Sequence, residues 1–388
     1  MSTVTIGFFP REQFALAAES LQRIFEYTDI GFNLIVVDCN TPKVYWQQIE
    51  QVLKGRNNIK VIQSDRYLQA NELRNLVIQE AKDDFLCFVE NDVLVEEGWL
   101  SHLITACKEE SADVAVPRII EGLGTTNIHW DPNQGEIRSV QTTDGVKWEI
   151  LPATGDLQLN RGTHRRMIKL AGEAHCRLYR RSLFDRLAPF DEEVIFLDHL
   201  DSSLTLYNAK VSVVFEPKSI VRFWHPYPPH PEDLDYFFHR WDLEKSAKSL
   251  ERIKQKWNLV ELYGDLSFAA ERNHIGHLYD VRKELETLIS PQDTFILVDE
   301  DRLNGNEILK RLRTIPFTER NGWYWGCPAD DDTAIQEFNR LYQAGASAIV
   351  FIWHTFWWLD YYTKFHNYLR QFPCLLQNDH LIAFGLRS

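Results

Sequence analysis

Short apolar runs alternate with segments of helical apolar spacing along the first part of the chain. Four strands are predicted from the runs VTIGFF, NLIVVD, IKVI and FLCFV, at residues 4–9, 33–38, 59–62 and 85–89. Apolar positions three and four residues apart predict the intervening helices, at residues 14–25, 45–53 and 70–81. Because uninterrupted apolar strands alternate with helices, we predict an α/β fold with a mostly parallel sheet covered by helices on both faces.

The pattern changes near residue 241, where charged residues flank a helical apolar stripe, and a new strand pattern, TFILV, begins near residue 291. We predict three parts: a first domain at 1–240, a helical linker at 241–290 and a smaller α/β domain at 291–388. Some tryptophans of the last part are predicted either to fill its core or to form a sugar-stacking platform: Trp323, Trp325, Trp353, Trp357 and Trp358.

The composition narrows the classes of function. Of 388 residues, 44% are hydrophobic and 25% are charged, which is typical of a globular protein. The formal net charge of −14 opposes binding to phosphate backbones, so nucleic acid is not an expected partner. The six cysteines form no CxxC pair, and no apolar run approaches the roughly 18 residues of a membrane span. We expect a cytoplasmic protein with reduced thiols and no integral membrane segment, either free or peripheral at the inner face of the membrane.

Acidic residues follow two of the predicted strands. Asp38 ends the second strand, and Glu90, Asn91 and Asp92 follow the fourth. Since parallel strands present their carboxyl ends at one edge of a sheet, where ligands bind in folds of this class, we expect both acidic sites at that edge. Carboxylate ligands suit Mg²⁺ or Mn²⁺. The alternative is that these acids only solvate a loop or cap the helix that follows.

Several segments of about the first 225 residues form an ordered series of motifs: VTIGFFPRE, LIVVDCN, ELRN, FVEND, AGEAHCRLYRRSLF and FDEEVIFLDHLDSSLTL. Their order resembles that of family 2 glycosyltransferases. The resemblance implies the GT-A fold, whose Rossmann-like, mostly parallel sheet binds a nucleotide sugar. It also implies metal-dependent inverting transfer from that donor, expected to be a UDP-sugar, to a hydroxyl of a glycan or another acceptor. A divalent cation would neutralise the charge that develops on the departing diphosphate.

The resemblance also implies roles for individual residues. FVEND matches the family's aspartate-x-aspartate motif with Glu90 in place of the first aspartate, which implies that Asp92 binds Mn²⁺ or Mg²⁺ directly. His225, in a proline-rich loop after a strand pattern, matches the histidine that completes the metal site. Donor contacts are implied for the remaining matches: Pro10, Arg11, Asp38, Arg74, Asn75, Glu90, Asn91 and His175. Each of these residues has a structural alternative, as an exposed charge, a loop residue or a buried polar contact.

A second acidic segment, DHLD, occupies residues 198–201. The resemblance implies that a carboxylate near the start of a helix takes the proton from the acceptor hydroxyl. Asp198 is the preferred base and Asp201 the competitor, because His199 stands where the family has an aspartate. The structural alternative is that Asp198 caps the helix.

Two other classes of function stay open. The altered DHLD motif suggests a catalytically silent module that binds a sugar nucleotide or a glycan. A nucleotidyltransferase would share the sheet and the metal, but the first loop contains no glycine-rich, lysine-bearing sequence. Donor hydrolysis or transfer by the purified protein would indicate an enzyme, whereas binding without turnover would favour the module.

Overall fold

The chain folds as two compact units. The computed structural model describes residues 3–130, 135–152, 164–224, 229–261, 266–303, 309 and 312–387. The N-terminal unit comprises Met1–Asn273, and the C-terminal unit comprises His274–Ser388.

The elements of the N-terminal unit follow the predicted alternation in their first part. Its strands are β1 (Val4–Phe9), β2 (Asn33–Cys39), β3 (Ile59–Ser64), β4 (Phe85–Glu90), β5 (Val93–Val95), β6 (Val114–Glu121), β7 (Ile128–Trp130), β8 (Gly135–Thr142), β9 (Gly145–Pro152), β10 (Arg166–Ile168), β11 (Cys176–Arg180), β12 (Val213–Phe223) and β13 (Leu259–Glu261). Its helices are α1 (Ala17–Tyr27), α2 (Lys43–Leu53), α3 (Ala70–Glu80), α4 (Trp99–Glu109), α5 (Asp198–Asn208), α6 (Leu234–Arg240) and α7 (Leu243–Trp257). Helix α8 (Ser267–Leu288) contains the boundary between the units. The strands and helices predicted within the first 90 residues are thereby confirmed.

The main sheet has the strand order β10-β12-β6-β11-β4-β1-β2-β3, with β5 beside β12 and β7 beside β6. As predicted, β3, β2, β1 and β4 pair in parallel. Strand β11 runs antiparallel between β4 and β6, whereas β12 pairs in parallel with β6. The α/β prediction is confirmed, and the parallel part that it described is extended by a mixed part built from later strands.

Close packing of α3 on β1 positions part of the sheet edge. A Cβ atom added at Gly7 of β1 would lie 2.5 Å from Cγ1 of Val77 on α3, so this position has no room for a side chain. Leu73 and Val77 are fully buried against the sheet. Because α3 lies this close, its Arg74 is held near the carboxyl ends of β1 and β4, where it contacts Glu90.

The predicted helical linker at 241–290 is divided between the two units. The Ser249 hydroxyl of α7 donates to the Phe196 carbonyl at 2.9 Å and accepts from the Phe196 N–H at 3.0 Å. At the end of α7, Lys256 and Trp257 donate to the Asp201 carboxylate at 2.8 and 2.7 Å. Because α7 is bonded to the N-terminal unit in this way, it is part of that unit and not a free connector.

The C-terminal unit is a smaller α/β fold, as predicted. Its strands are β14 (Thr294–Val298), β15 (Arg313–Pro316), β16 (Glu319–Arg320), β17 (Trp323–Tyr324), β18 (Ala348–Ile352), β19 (Cys374–Gln377) and β20 (Leu381–Gly385). Its helices are α9 (Asp331–Gln343), α10 (Trp357–Tyr361) and α11 (Thr363–Leu369). The sheet order is β15-β14-β18-β20-β19, and β14 is parallel to both β15 and β18.

The tryptophans of the C-terminal unit divide between the two predicted outcomes. Trp358 is fully buried and belongs to the core, whereas Trp323, Trp325 and Trp357 are 68%, 60% and 42% exposed. Trp353 is half-buried and packs against the rings of nearby histidines. The sugar-stacking platform therefore stays a prediction for the exposed tryptophans alone.

Candidate functional site

Strands β1 and β4 end side by side at the carboxyl edge of the main sheet. Phe9 pairs with Glu90 in the parallel ladder, and the Asn91 N–H donates to the Phe9 carbonyl at 3.0 Å. The Asn91 side chain accepts the Arg11 N–H at 3.1 Å and donates to the Gln13 carbonyl at 2.5 Å. Asn91, which was predicted to contact the donor, therefore fixes the loop that carries Arg11.

Asp198, the first residue of α5, meets arginines from three other parts of the chain. Two Arg11 nitrogens donate to its two oxygens at 3.0 and 2.9 Å, and Arg74 Nη1 donates at 2.6 Å. Arg240 Nη2 lies 3.5 Å away, and Asp198 has no exposed surface. Burial alone would raise the pKa of Asp198, but the three guanidinium groups hold it well below its usual range. A carboxylate held in this way is a weak proton acceptor.

Glu90 links this arginine cluster to His175. Arg74 Nη2 donates to Glu90 Oε1 at 2.8 Å, and His175 Nδ1 lies 2.7 Å from Glu90 Oε2. Burial opposes ionisation of Glu90, but Arg11, His175 and Arg74 lower its pKa to about 2. Burial also disfavours the charged imidazole, but the bond to Glu90 outweighs it and raises the pKa of His175. Because Glu90 occupies Nδ1, the Nε2 atom of His175 is left for another partner.

The carboxylate of Asp92 belongs to no hydrogen-bond network in the described chain. It is 2% exposed, and neither of its carboxylate oxygens has a hydrogen-bond partner within the described parts of the chain. Burial raises its pKa to about 8. Since a buried carboxylate without a donor is costly, a cation at this position would be stabilising. Glu90, Asp92 and His175 offer ligand atoms that all lie within 4.8 Å of one another, a donor set that fits Mn²⁺ and, through its oxygens, Mg²⁺.

Asp38 lies at the same edge of the sheet, farther from β4. Its carboxylate accepts the Thr41 N–H at 3.1 Å, and it lines a shallow groove together with Ser64 and Arg66. Because β1 separates β2 from β4, Asp38 and Glu90 are two strand spacings apart, about 10 Å. The predicted nucleotide and metal positions are thus on one edge but not in contact.

Pro10 and Asn75, two other residues that were predicted to contact the donor, form hydrogen bonds within the protein itself. The Pro10 carbonyl accepts the Tyr236 hydroxyl at 3.2 Å. The Asn75 side chain accepts from the Phe190 N–H and donates to the Phe190 carbonyl and the Glu192 carboxylate, each at 2.9 Å. These contacts give both residues a structural task, and their donor roles stay predictions.

Asp201 does not reach the arginine cluster, because Lys256 and Trp257 of α7 bind its carboxylate. It therefore lies near Asp198 in sequence but has different partners, and neither aspartate presents a free carboxylate oxygen. The choice between them as the base stays a prediction. His225 lies outside the described residues, so its role in the metal site also stays a prediction.

A second group of possible ligands lies beside His175. His129, Glu173 and His175 offer ligand atoms that all lie within 4.8 Å of one another. Glu173 Oε2 is 3.8 Å from His175 Nε2, and Glu173 Oε1 is 3.6 Å from His199 Nε2. Burial lowers the pKa of His129 to about 4, whereas neighbouring histidines, acting against burial, lower the pKa of Glu173.

The sequence interpretation missed His129, Glu173 and Arg240. Glu173 and His175 are two residues apart just before a strand, a spacing that places side chains on one side of an extended chain and could have linked them. His129 and Arg240 have no such local signal, because pairing of β7 with β6 and packing of α6 bring them to the site.

Comparison with known proteins finds one family model that matches the region of this edge. Residues 11–188 are similar to the model of glycosyl transferase family 2. A Drosophila melanogaster relative named "Putative inactive polypeptide N-acetylgalactosaminyltransferase 12" is 23% identical over 287 residues, which cover 68% of this chain and 47% of the relative. The chain thus spans about half the length of the curated relative that it matches.

Solved structures show lower similarity. A crystal structure of GalNAc-T7 with UDP, GalNAc and Mn²⁺ is 16% identical with a TM-score of 0.47, over 71% of this chain and 54% of that one. Staphylococcus aureus TarS is 15% identical with a TM-score of 0.42, over 73% of this chain and 43% of that one. TarS residues 1–349 in complex with UDP are 15% identical with a TM-score of 0.39, over 65% of this chain and 72% of that one.

Among the helices that the structure describes, none combines the length and the apolar character needed to cross a bilayer.

Proposed function

We propose that the chain binds a nucleotide sugar, expected to be a UDP-sugar, together with Mn²⁺ or Mg²⁺, and transfers the sugar to a hydroxyl of a glycan or another acceptor. One observation carries the proposal: a buried carboxylate without a donor, Asp92, follows β4 within the region that matches family 2. Asp92 would hold the cation, with Glu90 and His175 beside it. When bound, the cation would neutralise charge on the departing diphosphate.

The remaining residues would position the donor. Asp38, about 10 Å from Glu90, would contact the base or ribose, while Asp92 would lie at the diphosphate end. Arg11 and Arg74 are each bonded to Asp198 and lie against Glu90, so they would keep the edge in a fixed geometry. Because a bidentate guanidinium pair is rigid, we expect this edge to change little when the donor binds.

Asp198 and Asp201 stay the candidate bases for the acceptor hydroxyl. For Asp198 to accept a proton, Arg11 and Arg74 would have to release its oxygens. For Asp201 to do so, Lys256 and Trp257 would have to move. Both requirements favour a second candidate function, a catalytically silent module that binds the sugar nucleotide.

Turnover separates the two functions. Purified protein would be incubated with UDP-sugars and Mn²⁺, and release of UDP would be measured with and without acceptor sugars. Release above the rate of the protein-free solution supports the transferase. Saturable UDP-sugar binding without any release supports the silent module.

The metal assignment is tested with Asp92→Asn, which keeps the size of the side chain but removes its charge. We expect calorimetry to show UDP affinity that increases with Mn²⁺ in the unchanged protein and no longer does so in the variant. Asp201→Asn is the matched control, since its partners are on α7, and it should retain the Mn²⁺ effect. An unchanged Mn²⁺ effect in Asp92→Asn would show that the metal lies elsewhere.

A further inference from the structure

We propose that His129, Glu173 and His175 form a second cation site, distinct from the Asp92 position, which binds a divalent transition metal in the absence of nucleotide. The three side chains come from β7, from the segment before β11 and from the residue that precedes β11. Their ligand atoms all lie within 4.8 Å of one another. The inference goes beyond the proposed transfer reaction, because it requires neither a donor nor turnover.

The orientation of His175 is the first support for the site. Its Nδ1 atom lies 2.7 Å from Glu90 Oε2, a bond that fixes the ring and directs Nε2 toward Glu173. Histidines that bind metals typically donate their other ring N–H to a carboxylate in this manner. The His175 ring therefore has the orientation of a metal ligand before any cation binds.

The second support is the spacing around Glu173. Its carboxylate oxygens lie 3.8 Å from His175 Nε2 and 3.6 Å from His199 Nε2. Both distances are longer than a hydrogen bond, so the carboxylate is not joined directly to either ring. Ligand atoms of a tetrahedral site with metal bonds of about 2.0–2.1 Å are about 3.4 Å apart. Small side-chain movements would bring the ligands to that separation around a cation.

The fold holds the two imidazoles in place. Gly172 has a φ of 68°, and a Cβ atom there would lie 1.9 Å from Trp130 Cε2, so only glycine lets Trp130 pack on this segment. That contact brings the adjacent His129 to the segment before β11. Phe223 then contacts both rings, with centroids 4.0 Å from His175 and 4.7 Å from His129. The apolar ring excludes water from one side of the site.

The Asp92 carboxylate marks the other cation position, next to the proposed one. It lies within reach of His175, and it is buried without a donor in the described chain. The two positions differ in chemistry. Asp92 and phosphate oxygens suit Mn²⁺ or Mg²⁺, whereas two imidazoles and one carboxylate favour zinc and related transition metals over Mg²⁺. Three protein ligands would leave one coordination position open.

The test uses the full chain after treatment with a chelator and without nucleotide. Zn²⁺ is titrated in by calorimetry, and Co²⁺ binding is followed by visible absorption. We expect saturable binding of one Zn²⁺ per chain. His129→Ala and Glu173→Gln should each weaken it by at least about 100-fold, since loss of an outer-shell partner alone costs 10- to 100-fold. Asp92→Asn and His199→Ala are matched controls that should retain it.

Three results of the Zn²⁺ titration would overturn the proposal: no saturable Zn²⁺ binding by the unchanged protein, binding that survives in both His129→Ala and Glu173→Gln, or binding lost in Asp92→Asn. The proposed transfer function is judged separately, from the Mn²⁺-dependent affinity for UDP. That affinity should persist in His129→Ala. If it disappears there as well, the two positions are one site, and the separate site proposed here is wrong.

Discussion

The two units hold buried carboxylates in different ways. In the N-terminal unit, three arginines surround Asp198 and hold its pKa well below its usual range, despite burial. In the C-terminal unit, Asp299 follows β14, and its carboxylate accepts the N–H groups of Asp301 and Leu303, at 3.1 and 3.2 Å. Burial raises the pKa of Asp299. Both carboxylates are buried, so the charge of the partner decides ionisation.

Glu300 extends the contrast. Its Oε1 atom accepts the indole N–H groups of both Trp357 and Trp358 at 2.9 Å. Burial opposes ionisation, but these two donors outweigh it and lower the pKa of Glu300. Asp299 is thus supplied with neutral donors, and Glu300 with two neutral donors and with Arg302, whose Nη2 lies 3.4 Å from Glu300 Oε2. Asp92 at the other edge has no donor among the described residues. Within the described chain, the N-terminal edge therefore leaves a buried carboxylate without a donor, which a bound cation would compensate.

The largest expected effect comes from removing the charge of Asp198. Asp198→Asn would leave Arg11 and Arg74 buried with Glu90 as their remaining carboxylate partner, and Arg240 buried with its bond to the Ile195 carbonyl. Breaking a buried ion pair in this way typically costs about 3–5 kcal/mol of unfolding free energy. Urea unfolding of the variant measures the loss.

Asp201→Asn is the matched control for Asp198→Asn. Its partner Lys256 is about one-third exposed, so solvent screens the pair, and the loss should be no more than about 1 kcal/mol. Equal losses in the two variants would show that the arginine cluster contributes nothing beyond an ordinary ion pair. If Asp198→Asn is stable and binds UDP but has lost turnover, the predicted role as base gains support.

Asp233 tests whether ionisation of a buried carboxylate depends on the charge of its hydrogen-bond donors or on the unit in which it lies. It is fully buried in the N-terminal unit, yet its carboxylate accepts two neutral donors, the Phe14 N–H and the Tyr45 hydroxyl, and no charged donor among the residues that the structure describes. Burial raises its pKa from 3.8 to about 6. Since the folded state then binds the proton more tightly, this contribution to stability is complete below pH 4 and is lost as the pH rises through 6.

The difference between 3.8 and about 6 corresponds to about 3 kcal/mol, lost between pH 4 and pH 7. Asp233→Asn should remove that loss. As the pH rises over this range, the unfolding free energy of the variant should therefore increase relative to that of the unchanged protein. The exposed neighbour Glu232 supplies the control, Glu232→Gln. If the unfolding free energies of Asp233→Asn and Glu232→Gln depend on pH in the same way, burial does not raise the pKa of Asp233. The contrast between charged and neutral partners would then be wrong.

The local sequence pattern predicted the strands and helices that carry the site, but not the contacts between their side chains. The apolar run before Glu90 predicted that this residue and Asp92 lie at the end of a strand, because the predicted buried strand ends where its apolar residues end. The partners of Asp198 were not predicted, since Arg240 reaches it only after α6 has packed. Likewise, His129 depends on strand pairing across the sheet. Periodicity reports which face of an element is buried, but not what the opposing element places against that face.

The smallest expected effect concerns the neutral donors of the C-terminal edge. Glu300→Gln keeps an oxygen for the indole N–H groups of Trp357 and Trp358 but removes the charge, which about halves the strength of such bonds. We expect a loss of about 1 kcal/mol in unfolding free energy and shifts of two indole N–H signals in NMR spectra. Asp301→Asn, at an exposed neighbour, should leave both signals in place. The Trp357 ring is 42% exposed and packs against the rings of Trp358 and Tyr361, and its bond to Glu300 adds a polar contact. Unshifted indole signals in Glu300→Gln would mean that the carboxylate does not hold the rings, and the contrast between the two edges would then rest on Asp198 and Asp299 alone.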